Sequence, residues 1–136
     1  MNEAGRAYLE WYYGNNVWKY LSYRGVRTLK LPLDMWNYQE IICEHDIQWI
    51  VLHWVVETGT RHGGSALYFA DLLAAGKREG QVVSIDVTHQ DLSAVAAAHP
   101  GIRFLLGDSA SSSIREQVAA LVPLQRRGGL LLMLDS

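Results

Sequence analysis

Four short apolar runs, separated by stretches of helical periodicity, constrain the fold more than any other feature of this chain. The first lies between residues 49 and 56, where Trp49-Ile50-Val51-Leu52-His53 is followed at once by Trp54-Val55-Val56. The others are Gln81 to Val87, Ile102 to Asp108 and Gly129 to Asp135. Between them, residues 64–76, 90–99 and 111–122 carry helical patterns. Near-continuous apolar strands alternating with helices imply a parallel sheet covered on both faces, because parallel neighbours need a crossover that lays a helix over the sheet. The chain is therefore expected to be α/β, a Rossmann-like parallel sheet with helices on both faces. Glu57, Asp86, Asp108 and Asp135 all fall at or just past the carboxyl ends of these runs, where such sheets bind ligands.

The near-duplication around residues 49–56 leaves the first strand ambiguous. Residues 54–58 are taken as the core strand, with 47–53 extending it or the preceding helix, since periodicity cannot separate the two. His53, alone among apolar neighbours, is expected to be a packed or edge residue.

Upstream lies an aromatic-rich segment. Tyr8, Trp11 and Tyr12 are spaced to share one helical face before Gly14-Asn15-Asn16 breaks the pattern. These rings either pack the segment onto the domain or cap a site that is partly wet, a boundary suited to rings with polar tips. Arg24 to Asp34 reads as an irregular connection, with Asp34 as the N-cap of a helix that starts near Met35. Cys43, flanked by Ile42, is expected to be a buried thiol. Residues 1–46 thus form an N-terminal aromatic-rich segment and helix, and 47–136 the ligand-binding domain.

The composition narrows the partners. The net charge is −2 with both signs mixed, which argues against a nucleic-acid surface. No apolar run is long enough to span a bilayer. A single cysteine allows no internal disulfide and fits a reducing, cytoplasmic setting. A small-molecule partner is expected.

The candidate site is the turn Glu57-Thr58-Gly59-Thr60-Arg61-His62-Gly63-Gly64-Ser65, set between the first strand and its helix. Glycines allow a sharp turn and close backbone approach, and the helix's first N–H groups face the turn. A phosphate-binding loop would need Lys and then Ser or Thr after the last glycine, but Ser65-Ala66 follow Gly64. A dinucleotide fingerprint would need glycine where Arg61 stands, and a side chain there obstructs the pyrophosphate; a nicotinamide-dependent oxidoreductase remains a weak rival. The remaining pattern is acid-x-Gly-x-x-x-Gly, the loop of S-adenosylmethionine-dependent methyltransferases. Such a ligand has no phosphates and needs close backbone approach plus acids for its ammonium and ribose hydroxyls. Asp86 is placed for the ribose hydroxyls, and Asp108 for the neighbourhood of the adenine.

Lys30-x-Pro32-x-Asp34-x-Trp36-x-Tyr38-Gln39-Glu40, Glu57-Thr58-Gly59-x-x-x-Gly63-Gly64-Ser65-Ala66, Ser84-Ile85-Asp86, Gly107-Asp108-Ser109 and Leu134-Asp135-Ser136 together resemble the cephalosporin hydroxylase family. That family is grouped with rhamnosyl and other sugar O-methyltransferases on the class I methyltransferase fold. The resemblance implies S-adenosylmethionine at Glu57, Gly59, Thr60, Gly63, Ser65, Asp86 and Asp108. It also implies a divalent metal, usually magnesium, held by Asp135, which would then serve catalysis. The acceptor would be a hydroxyl of a small molecule or sugar. A non-catalytic cofactor-binding fragment is the alternative, because four strands make half of the family's seven-stranded sheet. Their implied order is 3-2-1-4.

In that order the run Leu130 to Leu134 forms a sheet edge, apolar on both faces and open to pairing with another chain. Self-association through this edge is expected. A stable monomer in size-exclusion chromatography with light scattering would count against it.

Overall fold

The structure is a computed structural model describing residues 2–54, 61–122 and 129–135, with only the backbone course given for 48–54 and 134–135. Its centre is a four-stranded parallel sheet of β3 (Ile47–Trp54), β4 (Val82–Asp86), β5 (Ile102–Leu106) and β6 (Gly129–Asp135), in the spatial order β5-β4-β3-β6. In sequence rank among these four, that is the order 3-2-1-4. β3 pairs with β4 from Ile50 opposite Val82 to Leu52 opposite Ser84. On its other side it pairs with β6 from Ile47 opposite Gly129 to Trp54 opposite Asp135. Residues 47–54 are thus the strand itself, and 47–53 do not extend the preceding helix. Residues 55–58 lie outside the described residues.

Alternation along β4 divides the core. Val82 faces a cluster formed with Ala66, Leu67, Phe69, Ala70 and Leu73 of α3 (Gly64–Ala75) and with Ile42 of α2 (Pro32–Glu44). Val83 and Ile85 face the opposite cluster, with Ile114 of α5 (Ser112–Leu121) and Val122. Both faces are covered, as continuous apolar strands require. β6 stands at the edge, with Leu130 and Leu132 partly exposed.

Several local expectations are corrected. The stretch after Arg24 is no irregular connection at its start: β1 (Ser22–Tyr23) and β2 (Val26–Arg27) pair antiparallel. Arg24 and Gly25 both have positive φ, 50° and 76°, which gives the two-residue turn the twist that hairpins favour. α2 starts earlier than Met35. Pro32 takes a first-turn position, where its missing N–H costs nothing, and Leu31, not Asp34, is the N-cap. Asp34 sits in the first turn, favourably placed against the helix dipole.

Cys43 is exposed, not buried. Each helical residue rotates by about 100°, so Ile42 at 1% exposure takes the core and its neighbours face out. In the Ala-rich stretch 90–99 the helix is confined to α4 (Ala94–Ala97). Polar side chains hold the approach in turns, Asp86 Oδ1 accepting from Thr88 N and Thr88 Oγ1 from Gln90 N, and Ser93 Oγ caps α4 by accepting from Val95 N.

In α1 (Glu3–Gly14) only Tyr12 is buried, while Tyr8 and Trp11 are exposed. The Tyr12 hydroxyl donates to the carbonyl of Lys30 at 3.3 Å. Burial, then Tyr8, Tyr13 and Asp34 nearby, push the phenol up to about 12. It stays protonated, as a donor must.

The hairpin is fixed to the sheet domain at Asp71 of α3. That carboxylate accepts from the Tyr23 hydroxyl at 3.0 Å and from Arg24 Nη1 at 2.9 Å, and lies 3.3 Å from His99 Nε2. His99 Nδ1 accepts from Gly101 N, so the Nε2 hydrogen is available to Asp71. Burial works against the Asp71 anion, but the bonds from Arg24 and Tyr23 and the nearby charges outweigh it and hold the carboxyl below its ordinary value of 3.8. A lowered folded value means that this stabilisation is complete above 3.8 and fades as pH falls through the folded value. Asp71→Asn should cost about 1–2 kcal/mol near neutral pH, allowing for the half-exposed Arg24. The difference between variant and wild type should shrink below about pH 4 in urea titrations.

Candidate functional site

Parallel pairing brings the strand ends to one edge of the sheet. Asp86 ends β4 opposite Leu106 of β5, and Gly107 N donates to the Asp86 carbonyl at 2.8 Å. Asp108 follows one residue later, and Asp135 ends β6 opposite Trp54 of β3. The carboxyl end of β3 is therefore flanked by the strands that lead to Asp86 and Asp108 on one side and by β6, ending at Asp135, on the other. Strand order reverses here, since β4 and β6 lie on opposite sides of β3, and such a switch point opens a crevice for a ligand.

Asp86 is half-buried, and its Oδ1 takes the Thr88 N–H at 3.1 Å. Asp108 is exposed, and its Oδ1 takes the Ala110 N–H at 2.9 Å. Each forms a local turn with one oxygen. Glu57, Gly59 and Thr60 lie outside the described residues, as does the side chain of Asp135. Among the described residues no three His, Cys, Asp or Glu side chains gather as a metal set.

Gly63 and Ser65 open α3. Gly63 is its N-cap at φ 82°, with no side chain to bond the first N–H groups, and Ser65 is buried at 4% exposure. A Cβ on Gly63 would stand 2.6 Å from the Ala96 Cβ and 2.9 Å from Leu92 Cδ1. The residue is thus dictated by conformation and by packing against the 92–96 segment, besides any ligand. Gly64 is constrained from the other side, where a Cβ would meet Thr28 Oγ1 at 2.1 Å and the Arg27 carbonyl oxygen at 2.4 Å. The end of the hairpin is pressed directly onto the first turn of α3.

Three contacts that only the folded chain pairs tie residues 61 and 62 to the loop after β4. The Arg61 guanidinium donates to the Asp91 carboxylate, His62 Nδ1 lies 3.2 Å from the Asp91 carbonyl oxygen, and Ser93 N donates to the His62 carbonyl at 3.1 Å. Nearby, the His89 ring meets Phe104 edge-on, and its Nε2 is buried with no hydrogen-bond partner among the described residues.

Beside the hairpin lies a cavity of about 430 Å³ between β1, α2 and α3, with Leu21, Lys30, Met35, Trp36, Tyr68 and Leu72 among its lining residues. Tyr68 is oriented by donating to the Met35 carbonyl at 2.7 Å, and Trp36 is 64% exposed. Of the aromatic N-terminal segment, Tyr12 packs inside, as the first of the two readings expects, while Tyr23 and Trp36 line this cavity.

The sequence profile of rhamnosyl O-methyltransferase/CmcI matches residues 15–136. The chain belongs to that family. A rhamnosyl O-methyltransferase of Mycobacterium leprae (strain TN) is 40% identical over 129 residues, which are 95% of this chain and 53% of the relative. One from Mycobacterium bovis (strain BCG / Pasteur 1173P2) is 37% identical over 95% of this chain and 50% of its own length. The chain spans about half the length of these curated relatives. A solved apo structure of CmcI superposes with a TM-score of 0.69 at 24% identity, over 84% of this chain and 45% of that one. A CmcI structure described as holding Mg and SAM gives 0.68 at 24% identity, over 87% and 47%. At this identity these structures establish the fold of the rhamnosyl O-methyltransferase/CmcI family here: an α/β arrangement with a parallel sheet and helices.

Gly63→Ala would combine an unfavourable positive φ with a clash against Ala96. It should destabilise the chain by about 2–4 kcal/mol in denaturant unfolding. Substitution at exposed Cys43 should leave the unfolding free energy within about 0.5 kcal/mol of wild type.

Proposed function

We propose that this chain forms the cofactor-binding half of an S-adenosylmethionine-dependent O-methyltransferase. One observation carries the reading: the central strand ends between the strands that lead to Asp86 and Asp108 on one side and Asp135 on the other. The family and the methyltransferase names of its relatives support it. Residues 1–46 are read as an N-terminal segment and 47–136 as the half-domain that binds the cofactor.

The amino-acid end of the cofactor is assigned to the turn, to Glu57, Gly59, Thr60, Gly63 and the Ser65 end of α3, where N–H groups face a carboxylate. Asp86 takes the ribose hydroxyls with the oxygen its local turn does not engage, and Asp108 stands by the adenine. Transfer requires an acceptor oxygen in line with the methyl–sulfur bond. The new O–CH3 bond forms as S–CH3 breaks, leaving neutral S-adenosylhomocysteine, and the hydroxyl proton passes to a carboxylate. Asp135 is the candidate for that carboxylate. The turn and the strand-end acids contribute positioning.

Magnesium is the metal named with one CmcI structure, and Asp135 is the ligand we assign to it. The described residues do not supply the rest of a metal set, so no step is derived through it. The acceptor is read as a sugar-type hydroxyl, in line with the rhamnosyl relatives. Trp36 and Tyr68 at the cavity offer aromatic faces of the kind a sugar or its apolar substituent stacks on.

Self-association is assigned to the β6 edge. Among the described residues no helix is long and apolar enough to cross a membrane, and a single cysteine fits a reducing, cytoplasmic setting. A second reading, cofactor binding without turnover by these 136 residues, is favoured by their spanning about half the relatives' length.

Calorimetry with S-adenosylhomocysteine should give binding by the chain. Asp86→Ala should weaken it at least about tenfold, the loss of hydrogen bonds to a charged acceptor. No binding by the chain, or by a version extended to its relatives' length, would sink the assignment. Turnover by the extended form alone would select the second reading.

A further inference from the structure

Residues 61, 62 and 63 each touch the segment 91–96. Arg61 meets it through the Asp91 carboxylate, His62 through its ring and its carbonyl, and Gly63 through close approach to Leu92 and Ala96. That segment continues from the loop that starts at Asp86, the acid assigned to the ribose. The second half of the glycine turn and the loop after β4 are therefore joined along three successive residues. Of these contacts, only the Arg61–Asp91 pair depends on charge.

We propose that Arg61 is a positioning residue: held by Asp91, it clamps the glycine turn against the loop after β4 and so fixes the spacing between the turn and Asp86. The inference rests on the cofactor reading above and deepens it. Arg61 stands where a dinucleotide loop would carry glycine for pyrophosphate approach, but its guanidinium is directed sideways to Asp91. It acts through the geometry of the two walls and not by touching the cofactor.

Burial separates this role from ordinary stabilisation. The side chains of Arg61 and Asp91 are 57% and 33% exposed, and ion pairs so exposed contribute little to global folding. The pair's effect should therefore be local, on the entropy of ordering two loops around a ligand.

The test is a double-mutant cycle on the full chain, with S-adenosylhomocysteine affinity read by calorimetry and local order by amide hydrogen exchange in peptides covering residues 61–66 and 88–93. Arg61→Ala and Asp91→Asn should each weaken binding about tenfold and speed exchange in both peptides, with the thermal midpoint moving by less than about 2 °C. The two losses should not add in the double variant. The charge-swapped pair R61D/D91R should recover affinity to within about threefold of wild type, and Arg61→Lys should lie between. Affinity within twofold of wild type in Arg61→Ala, or additive losses with no recovery in the swap, would overturn the clamp. Should wild type itself bind no S-adenosylhomocysteine, the cofactor reading fails; unchanged exchange in Arg61→Ala would then overturn the clamp, and faster exchange in both peptides would uphold it as a tie between the loops.

Discussion

Everything in this chain hangs on β3 being hydrogen-bonded on both sides. Its pairing with β4 and with β6 runs parallel, and parallel neighbours cannot be joined by tight turns. The crossovers must climb over the sheet, α3 on one face and α5 on the other. The reversal of direction around β3 places the exit of the central strand between acids contributed from left and right. The site is a product of topology before it is a product of side chains.

The N-terminal segment is integrated into this frame at two points of different character. At one, an ionised carboxylate on α3 gathers Tyr23, Arg24 and His99. At the other, backbone meets backbone with no room for a methyl group, where Arg27 and Thr28 press on Gly64. The first is electrostatic and tunable by pH, while the second is steric and admits no substitute.

The sheet is readable because its strands are largely apolar and bounded by glycines and acids, α3 because a long apolar run follows the glycines, and α5 because its apolar face recurs with helical period and Ser111 caps it. Short-range competition hid the rest. A hairpin of two-residue strands leaves almost no pattern, and Arg24 adopts a left-handed conformation that its residue type does not announce. Residues 90–93 read as helix by composition, yet the side chains of Asp86 and Thr88 satisfy backbone N–H groups in turns, and Ser93 caps a helix that starts only at Ala94. Cys43 was misjudged from neighbours in sequence, whereas burial on α2 follows rotation about its axis. The strand-end acids were visible as positions; Arg61 with Asp91, 30 residues apart, and Asp71 with His99 were not, since only the folded chain pairs them.

The contact of Thr28 with Gly64 also limits how this protein can be remodelled. The cavity beside α2 and the first turn of α3 share Thr28, which lines one and braces the other. The cavity and the first turn of α3 are thereby mechanically coupled through a single hydroxyl-bearing side chain. A redesign that exchanges the N-terminal segment to reshape this cavity must carry the end of β2 over intact. The outer rings, Trp36 among them, are the positions that can vary freely.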